Sequence, residues 1–192
     1  MKKTHLAFVV AVVLAAVGYY IWQRTAGGDH VVLDLVTAFD QVPIDNRRSS
    51  LPDKGAAYHA GPETVAGQTR RAIYMHPTSR LTFGKQTVPD HGRLRAWIAV
   101  KEEAWTQDGS DGVLFRFGVG DGRDYFELLN QHVDPRHNAN DRGWLPVDID
   151  LTAYAGQQVD LIFNTNSSLP RQGDNNAYDF AVWGDPAIIE RP

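Results

Sequence analysis

The sequence predicts an all-β protein, an antiparallel jelly-roll β-sandwich preceded by one N-terminal hydrophobic helix. Short apolar runs alternate with polar residues at a period of two, which is typical of strands with one buried face. The 17 glycines and 10 prolines favour many turns. After residue 28 the chain shows no long amphipathic helix. Together these observations favour a sandwich of short strands over an all-α or α/β fold.

The N-terminus has the pattern of an export element. Lys2 and Lys3 precede an uncharged, mostly apolar segment, Leu6–Trp22. A helix of that length measures ~25 Å, at the short end for a bilayer with ~30 Å of hydrocarbon. The positive flank predicts a single-pass membrane anchor, with a cytoplasmic N-terminus and the domain outside. A cleaved signal peptide is the alternative, because Ala16-Val17-Gly18 supplies small residues for cleavage.

These features divide the chain into two parts. Residues 1–28 form the signal anchor or signal peptide with a short linker, and residues 29–192 form the extracytoplasmic β-sandwich domain. Three of the 19 Lys and Arg lie in the first part, so the domain carries 16 against 23 Asp and Glu. An acidic domain of this kind is a poor candidate for binding nucleic acid. The absence of cysteine excludes disulfides, thiolate zinc sites and cysteine nucleophiles.

The domain reads as about nine or ten short strands. The longest non-periodic stretch, residues 40–63, is rich in Pro, Gly, Ser and charge and predicts a loop with a helical turn at Asn46–Ser50. The predicted strands are Val31–Phe39, Arg71–His76, Arg80–Thr87, Arg93–Val100, Val113–Val119, Asp124–Val133, Leu145–Leu151, Val159–Phe163 and Ala177–Trp183, with Ala187–Ile189 continuing the last one after a break.

The alternation assigns a face to individual side chains. In Arg93–Val100, Leu94, Ala96 and Ile98 face one way and Trp97 faces the other. Asp121-Gly122 has the chemistry of a hairpin turn between the two strands that flank it. The stretch from Asp141 to Thr165 holds the clearest pair of alternating strands, joined by a short segment that ends at Gly156.

Four segments together resemble a known bacterial family. They are RAIYMHPTSRLTFGKQTVPDHGRLRAWIAVKEEAW, DGVLFRFGV, DRGWLPVDIDLTAYAGQQVDLIFNT and YDFAVWGDP, within residues 64–190. The pattern is similar to the jelly-roll domains called novel putative carbohydrate-binding modules (NPCBM-like). This resemblance implies a non-catalytic extracytoplasmic module that binds a cell-envelope or extracellular glycan.

Sugar rings stack on exposed aromatic side chains, while polar neighbours take the hydroxyl groups. This chemistry selects glycan-binding candidates in loops or on the outward faces of strands: Trp97, Trp105, Tyr125, Trp144 and Arg142. Trp183 is expected in the core instead. Arg142 and Arg116 are expected either to hold a carboxylate or to form ion pairs with Asp141 or Asp111.

Two pairs of acids are candidates for a structural calcium ion, which prefers six to eight oxygen ligands. Asp108 and Asp111 lie in a glycine-containing loop. Asp34 and Asp179 lie in the first and last predicted strands, where jelly-roll modules commonly hold calcium. Ordinary turn chemistry and solvation are the alternative roles of these acids. No other cofactor is expected.

Catalysis has weaker support in the sequence. His132, Asp134 and His137 lack the spacing of a recognised metal motif, and the acid pairs Glu102/Glu103 and Asp148/Asp150 are typical of solvated faces. Three functions therefore remain: a glycan-binding module, a structural or protein-interaction domain of a bacterial envelope complex, and a small glycan-active enzyme.

Overall fold

The computed structural model describes residues 28–167 and 176–191, in which eleven β-strands form two antiparallel sheets. The strands are β1 His30–Asp34, β2 Arg47–Ser49, β3 Tyr58–Val65, β4 Gln68–Met75, β5 Ser79–Thr87, β6 Gly92–Val100, β7 Val113–Gly120, β8 Tyr125–Val133, β9 Leu145–Asp150, β10 Gln158–Ser167 and β11 Ala181–Glu190. Two short helices, α1 Leu35–Ala38 and α2 Lys54–Ala57, accompany them. Single 3-10 turns occur at Phe39–Gln41, Ile44–Asn46, Glu102–Ala104, Ala139–Asp141 and Thr152–Tyr154.

The two sheets confirm the predicted β-sandwich. One has the order β3-β4-β11-β6-β9, with β1 also paired to β11, and is called the six-stranded sheet. The other, the five-stranded sheet, has the order β2-β5-β10-β7-β8. The predicted N-terminal helix and its span Leu6–Trp22 lie outside the described residues. Between residues 28 and 167 and between 176 and 191, no helix is long and apolar enough to cross a membrane.

A single aromatic-rich core joins the inner faces of the sheets. Trp183 on β11 is completely buried, as the sequence predicted. Its indole meets Phe115 on β7 and Phe163 on β10 edge to face, with ring centroids 5.4 and 4.9 Å apart. Contacts of this geometry stabilise a core by about 0.5–1.5 kcal/mol each beyond their buried area. They also tie the six-stranded sheet to the five-stranded one.

The two strands within Asp141–Thr165 belong to different sheets. Strand β9 pairs with β6 at one edge of the six-stranded sheet, whereas β10 lies between β5 and β7 in the centre of the five-stranded sheet. The 3-10 turn Thr152–Tyr154 carries the chain from one sheet to the other. Both strands therefore direct their alternating apolar side chains, such as Val147 and Leu161, into the same core.

The sequence prediction was wrong between residues 35 and 63. The first strand ends at Asp34, whose carboxylate accepts a hydrogen bond from the Thr37 backbone amide and caps helix α1. The predicted helical turn at Asn46–Ser50 is strand β2, and the predicted loop also contains α2 and most of β3. Strand β3 is an edge strand, a position in which Pro62 is tolerated.

Two tight turns have the backbone that their sequences require. Ala66 and Gly67, between β3 and β4, both have positive φ, of 50° and 72°, as in the two-residue hairpin turns that match strand twist. Gly122, between β7 and β8, has a φ of 91°, and its hairpin is the one that Asp121-Gly122 predicted. These turns fix the register of their strands.

Candidate functional site

Three of the predicted glycan-binding aromatics lie on the outer face of the six-stranded sheet. Trp97 on β6 points away from the core, as its alternation predicted. Trp144, just before β9, and Trp105, after β6, pack on a small second cluster of buried residues on this face: Val65, Ala72, Tyr74, Ala99 and Val182. All three indoles are partly buried. The structure thus collects these side chains on one face, where they also cover apolar side chains.

The indole N–H groups of two of these residues are already bonded. Trp105 Nε1 donates to the Val100 carbonyl oxygen at 2.9 Å, and Trp144 Nε1 donates to that of Gln68 at 2.9 Å. The guanidinium carbon of Arg70 lies 3.6 Å from the centre of the Trp97 ring, a cation–π contact. The position of Arg70 is fixed by an ion pair with Asp185 at 2.9 Å. Trp97 and Trp144 therefore form part of a packed aromatic–arginine surface.

The two predicted arginines have partners other than those expected. Arg142 Nε donates to the Pro135 carbonyl oxygen at 2.8 Å, and its guanidinium carbon lies 5.9 Å from the centre of the Trp105 ring. Arg116 pairs with Glu127 on the neighbouring strand β8. Neither arginine forms the ion pair with Asp141 or Asp111 that the sequence suggested.

An open pocket of about 520 Å³ lies next to Trp105, at the end of this sheet where β4 and β6 end. We call it the aromatic pocket, lined by His59, Tyr74, Phe180, Lys101 and Glu103 together with Gly55 and Ala56. His59 and Tyr74 stack with ring centroids 4.7 Å apart and 16° between their planes. The His59 side chain is 49% exposed, so this aromatic ring is available to a ligand.

A charged network surrounds the aromatic pocket. The Lys101 ammonium lies 3.1 Å from Glu63 and 3.8 Å from Glu103, and His59 Nε2 lies 2.9 Å from the second oxygen of Glu63. Burial opposes ionisation of Glu63, but its contacts with His59 and Lys101 outweigh that effect and lower its pKa. Burial, reinforced by these acids, raises the pKa of Tyr74 to about 12. An aromatic surface with donors and acceptors at its rim suits a polyhydroxylated ligand.

Tyr125 lies on the opposite side of the molecule, on the outer face of the five-stranded sheet. The guanidinium carbon of Arg116 is 5.9 Å from the centre of its ring. Burial raises the pKa of Tyr125. The Asn164 amide lies near the Tyr125 hydroxyl, although neither Tyr125 Oη nor Asn164 Nδ2 has a partner in hydrogen-bond geometry. The five predicted residues are therefore divided between two surfaces.

The predicted calcium pairs are separated in the structure. Asp34 stands opposite Ala187 on β11, eight residues beyond Asp179, and binds Arg71 at 2.6 Å. Burial disfavours the Asp34 carboxylate, but bonds from Thr37 and Arg71 outweigh it and lower its pKa. The Asp108 side chain is fully exposed and pairs with Arg136 at 2.8 Å. Both acids already have cationic partners.

The other members of the two pairs, Asp111 and Asp179, lie close enough for their charges to interact, and with Ser110, the chain neighbour of Asp111, we call them the buried acidic cluster. It lies where the segments preceding β7 and β11 come together, at one end of the sandwich. Asp179 is completely buried, and neither carboxylate oxygen has a hydrogen-bond partner. Asp111 Oδ1 and the hydroxyl of Ser110 are also buried without partners. Burial, together with the charge of Asp111, raises the pKa of Asp179 to about 8.

This cluster fits the ligand chemistry of calcium. Buried carboxylates are normally paired or bound to a metal, because an isolated buried charge is costly. Two carboxylates and a hydroxyl supply hard oxygen ligands of the kind that calcium binds. Backbone carbonyls and water would complete the coordination, since the described part of the chain holds no group of three or more His, Asp or Glu placed around one ion.

The remaining acidic and histidine candidates have local partners. His132 Nε2 contacts the Asp111 carbonyl oxygen at 3.1 Å, and His137 Nδ1 contacts Asp134 at 2.8 Å. Asp148 and Asp150 pair with Arg93 at 2.6 and 3.4 Å, and Glu102 accepts a bond from the Ala66 amide. These acids act in ion pairs and turns of the fold.

Comparison with known proteins gives the fold and a few distant relatives. No family model matches the chain. An uncharacterized protein of Archaeoglobus fulgidus is 31% identical over 129 residues, covering 65% of this chain and 32% of that protein. Hemagglutinin A of Porphyromonas gingivalis is 26% identical over 140 residues, covering 61% of this chain and 6% of that protein. The chain therefore spans a third or less of the length of these relatives.

A solved structure has the same architecture. CBM51 from Clostridium perfringens GH95, in complex with methyl-galactose, matches with a TM-score of 0.50 and 12% identity, covering 81% of this chain and 98% of that chain. At this identity the match shows a shared fold. The chain thus has the β-sandwich fold of a carbohydrate-binding module.

Sequence reasoning missed several residues of these surfaces. His59 and Lys101 were not candidates, because His59 fell in the predicted loop 40–63 and Lys101 directly followed the predicted strand Arg93–Val100. Asp111 was paired with its near neighbour Asp108, although its partner in space is Asp179. The alternation that marked Trp97 as outward also marks Arg80 and Asn164 as outward, and this signal was available in the sequence.

Proposed function

We propose that the domain is a non-catalytic jelly-roll module that binds a glycan, and that the aromatic pocket is its binding site. The stacked His59 and Tyr74 rings, with Lys101 and Glu103 at the rim, carry this proposal. Exposed ring faces bind the C–H faces of sugars, and charged rims bind their hydroxyl groups. The fold shared with carbohydrate-binding modules supports it.

The proposed ligand is a bacterial cell-envelope glycan or an extracellular glycan. This location rests on the apolar Leu6–Trp22 segment, which would attach the domain to the outer side of the inner membrane or direct its secretion. Protease accessibility of the domain in intact spheroplasts tests the location: digestion from outside supports it, and protection contradicts it.

Glycan binding is tested by titration calorimetry of the full chain with methyl-galactose, followed by a glycan array. Methyl-galactose is the first probe because a module of the same fold was solved with it. His59→Ala removes the exposed ring and is expected to weaken binding about tenfold. His91→Ala, an exposed histidine at the opposite end of β6, is the matched control and should bind normally.

The outcome separates glycan binding from the alternative of a structural or protein-interaction domain. A glycan hit that His59→Ala weakens supports the proposed site. No hit on the array, together with a membrane protein that co-purifies with the chain, supports an interaction domain and contradicts glycan binding.

We also propose that the buried acidic cluster holds a structural calcium ion. The carboxylates of Asp111 and Asp179 and the hydroxyl of Ser110 are the ligands within the described residues. The observation that favours this role is that four of their oxygen atoms are buried without a partner. Calcium would leave Asp179 ionised and would connect the segments that enter β7 and β11.

The raised pKa of Asp179 makes this proposal dependent on pH. Without calcium the folded state retains a proton between pH 3.8 and about 8 that the unfolded state loses. The free energy of unfolding should therefore fall as pH rises through this window, by at most about 1.4 kcal/mol per pH unit. Calcium should raise the melting temperature more at pH 8 than at pH 5, where it must displace the proton.

Thermal unfolding with calcium and with a chelator measures this effect. Asp179→Asn removes the charge at nearly constant size and should abolish the response to calcium. Asp108→Asn changes an exposed acid of the same loop and should retain it. A wild-type chain that melts at the same temperature with calcium and chelator at pH 8 would rule out the site.

A further inference from the structure

A second polar cleft lies on the outer face of the five-stranded sheet, away from the aromatic pocket. Its volume is about 260 Å³. We call it the arginine cleft, because Arg48, Arg80 and Arg116 line it together with Thr78, Asn164 and Asn166. None of the residues that line it is acidic. The neighbouring Glu127 neutralises one arginine, so two positive charges remain on a protein whose net charge is −4.

The register of the strands places the side chains of this cleft next to one another. Arg48 on β2 stands directly opposite Arg80 on β5, Arg80 opposite Asn164 on β10, and Asn164 opposite Arg116 on β7. Directly opposite residues in antiparallel strands project to the same face. Because neighbouring strands lie ~4.8 Å apart, the four side chains form a row ~14 Å long. Three arginines therefore share one line across four strands.

This row of arginines should lower the stability of the sheet, and the fold itself gives no reason for it. Like charges directly opposite each other destabilise a sheet. The Arg48 side chain has no hydrogen bond or ion pair within the described residues that would offset its repulsion from Arg80. An anion that binds between the arginines would offset this repulsion and so account for the row.

The amides of the cleft provide a second, independent indication of a ligand. Asn164 is only 5% exposed, and its Oδ1 accepts a bond from Arg80 Nε at 2.8 Å. Its Nδ2 lies near the Tyr125 hydroxyl but outside hydrogen-bond geometry, and the buried Oδ1 of Asn166 has no partner. Buried amide atoms are normally satisfied, so an unsatisfied donor and acceptor beside one cleft point to a ligand that supplies both. Sugar hydroxyl groups do so.

We propose that the arginine cleft binds an anionic glycan, whose acidic group lies between Arg48 and Arg80, the two arginines of the row that have no acidic partner, and whose hydroxyl groups bond to Asn164 and Asn166. The planar guanidinium group forms paired hydrogen bonds with a carboxylate and binds the oxygens of a sulfate ester as well. This inference takes its ligand class from the proposed function but uses a separate site. The acidic group itself, carboxylate or sulfate, is resolved by the experiment.

The test is titration calorimetry of the full chain with an oligogalacturonate, a sulfated galactan oligosaccharide and a neutral galactan oligosaccharide. One or both acidic ligands should bind at least about tenfold more tightly than the neutral one at low salt, and added salt should weaken that binding. Equal affinity for acidic and neutral ligands, or no binding of either acidic ligand, would overturn the proposal.

Substitutions of single arginines test where the acidic ligand binds. Arg80→Gln can retain a bond to Asn164 but lacks the charge, so affinity for the acidic ligand should fall about tenfold or more with an unchanged melting temperature. Arg123→Gln, an exposed arginine in the β7–β8 turn, is the matched control and should bind normally. Acidic-ligand binding that survives Arg48→Gln and Arg80→Gln would contradict the assignment.

The two sites are distinguished by exchanging their variants. His59→Ala should leave acidic-ligand binding at the arginine cleft intact, and Arg80→Gln should leave methyl-galactose binding intact. Loss of acidic-ligand binding in His59→Ala instead would assign it to the aromatic pocket and overturn the second site. If no glycan on the array binds in a way that depends on His59, while oligogalacturonate binding depends on Arg80, the first site alone is contradicted.

Discussion

The outer faces of the two sheets show two ways in which a β-sandwich can use side chains that point away from its core. On the six-stranded sheet, Trp105 and Trp144 cover a second cluster of buried residues, and their indole N–H groups are bonded to the backbone. On the five-stranded sheet, arginines and amides form a cleft in which Asn164 and Asn166 have unpaired buried atoms. The first face is largely occupied with packing, whereas the second has buried polar groups without partners.

The two outer faces also differ in their buried polar atoms without partners. The six-stranded face has Arg70 Nε, part of a guanidinium group that stacks on Trp97 and binds Asp185. The five-stranded face has Tyr125 Oη, Asn164 Nδ2 and Asn166 Oδ1. The described residues of the five-stranded face thus hold more unpaired buried polar atoms than those of the six-stranded face.

Glycine substitutions should give the largest effects and compare the packing of the two faces directly. A Cβ atom at Gly118 on β7 would lie 2.3 Å from the Phe126 carbonyl oxygen and 2.6 Å from the Tyr125 ring. One at Gly184 on β11 would lie 2.7 Å from the Trp144 ring and 2.9 Å from Arg70 Cδ, which are side-chain atoms that can shift. We expect Gly118→Ala to lower the free energy of unfolding by about 3 kcal/mol and Gly184→Ala by about 1–2 kcal/mol.

Urea unfolding of the two variants measures these values, with Gly61→Ala as the control. A Cβ atom at Gly61 on the edge strand β3 would meet no atom within 4 Å, so this variant should lose at most about 1 kcal/mol. If Gly184→Ala cost more than Gly118→Ala, the six-stranded face would be the more rigidly packed of the two.

Removal of a tryptophan should have the next largest effect and tests whether the six-stranded face is structural. Trp144→Ala would expose the second cluster and leave the Gln68 carbonyl without its donor. Because the ring is only partly buried, we expect Trp144→Ala to lower the free energy of unfolding by about 2 kcal/mol. This is less than the 3–5 kcal/mol typical of a fully buried tryptophan. Trp144→Phe keeps an aromatic ring but not the N–H group, and should lower the free energy of unfolding by about 1 kcal/mol.

Denaturant unfolding and methyl-galactose binding are to be measured on the same Trp144 samples. Loss of stability with normal binding supports a packing role for Trp144. Unchanged stability with loss of binding would instead make it a ligand contact, as the sequence alone suggested.

The parts of the fold that the sequence predicted well are those with regular alternation. Strands β6, β7 and β10 carry buried apolar residues at every second position, which follows from having one face on the core. Strands β2 and β3 escaped prediction for a physical reason. Arg47–Ser49 contains no apolar residue, and β3 is an edge strand interrupted by Gly61 and Pro62.

The candidate sites were harder to predict because each joins segments distant in the chain. The charge interaction of Asp111 with Asp179 depends on how the segments before β7 and β11 come together, whereas local spacing favoured the pair Asp108–Asp111 and strand position the pair Asp34–Asp179. The row of Arg48, Arg80, Asn164 and Arg116 depends on strand register. Alternation places a side chain on a face, but register decides which side chains become neighbours on that face.

The smallest effect expected concerns the charges of the two outer faces. Arg93 on the six-stranded sheet pairs with Asp148 and Asp150, so Arg93→Gln should lower the free energy of unfolding by about 0.5 kcal/mol. Arg48 on the five-stranded sheet faces Arg80, so Arg48→Gln should leave stability unchanged or raise it by about 0.2–0.5 kcal/mol. High salt should reduce both differences, because it screens exposed charges. Urea unfolding at low and high salt measures these differences. If Arg48→Gln lost as much stability as Arg93→Gln, the row of arginines would stabilise the sheet. An anion would then not be needed to account for the row.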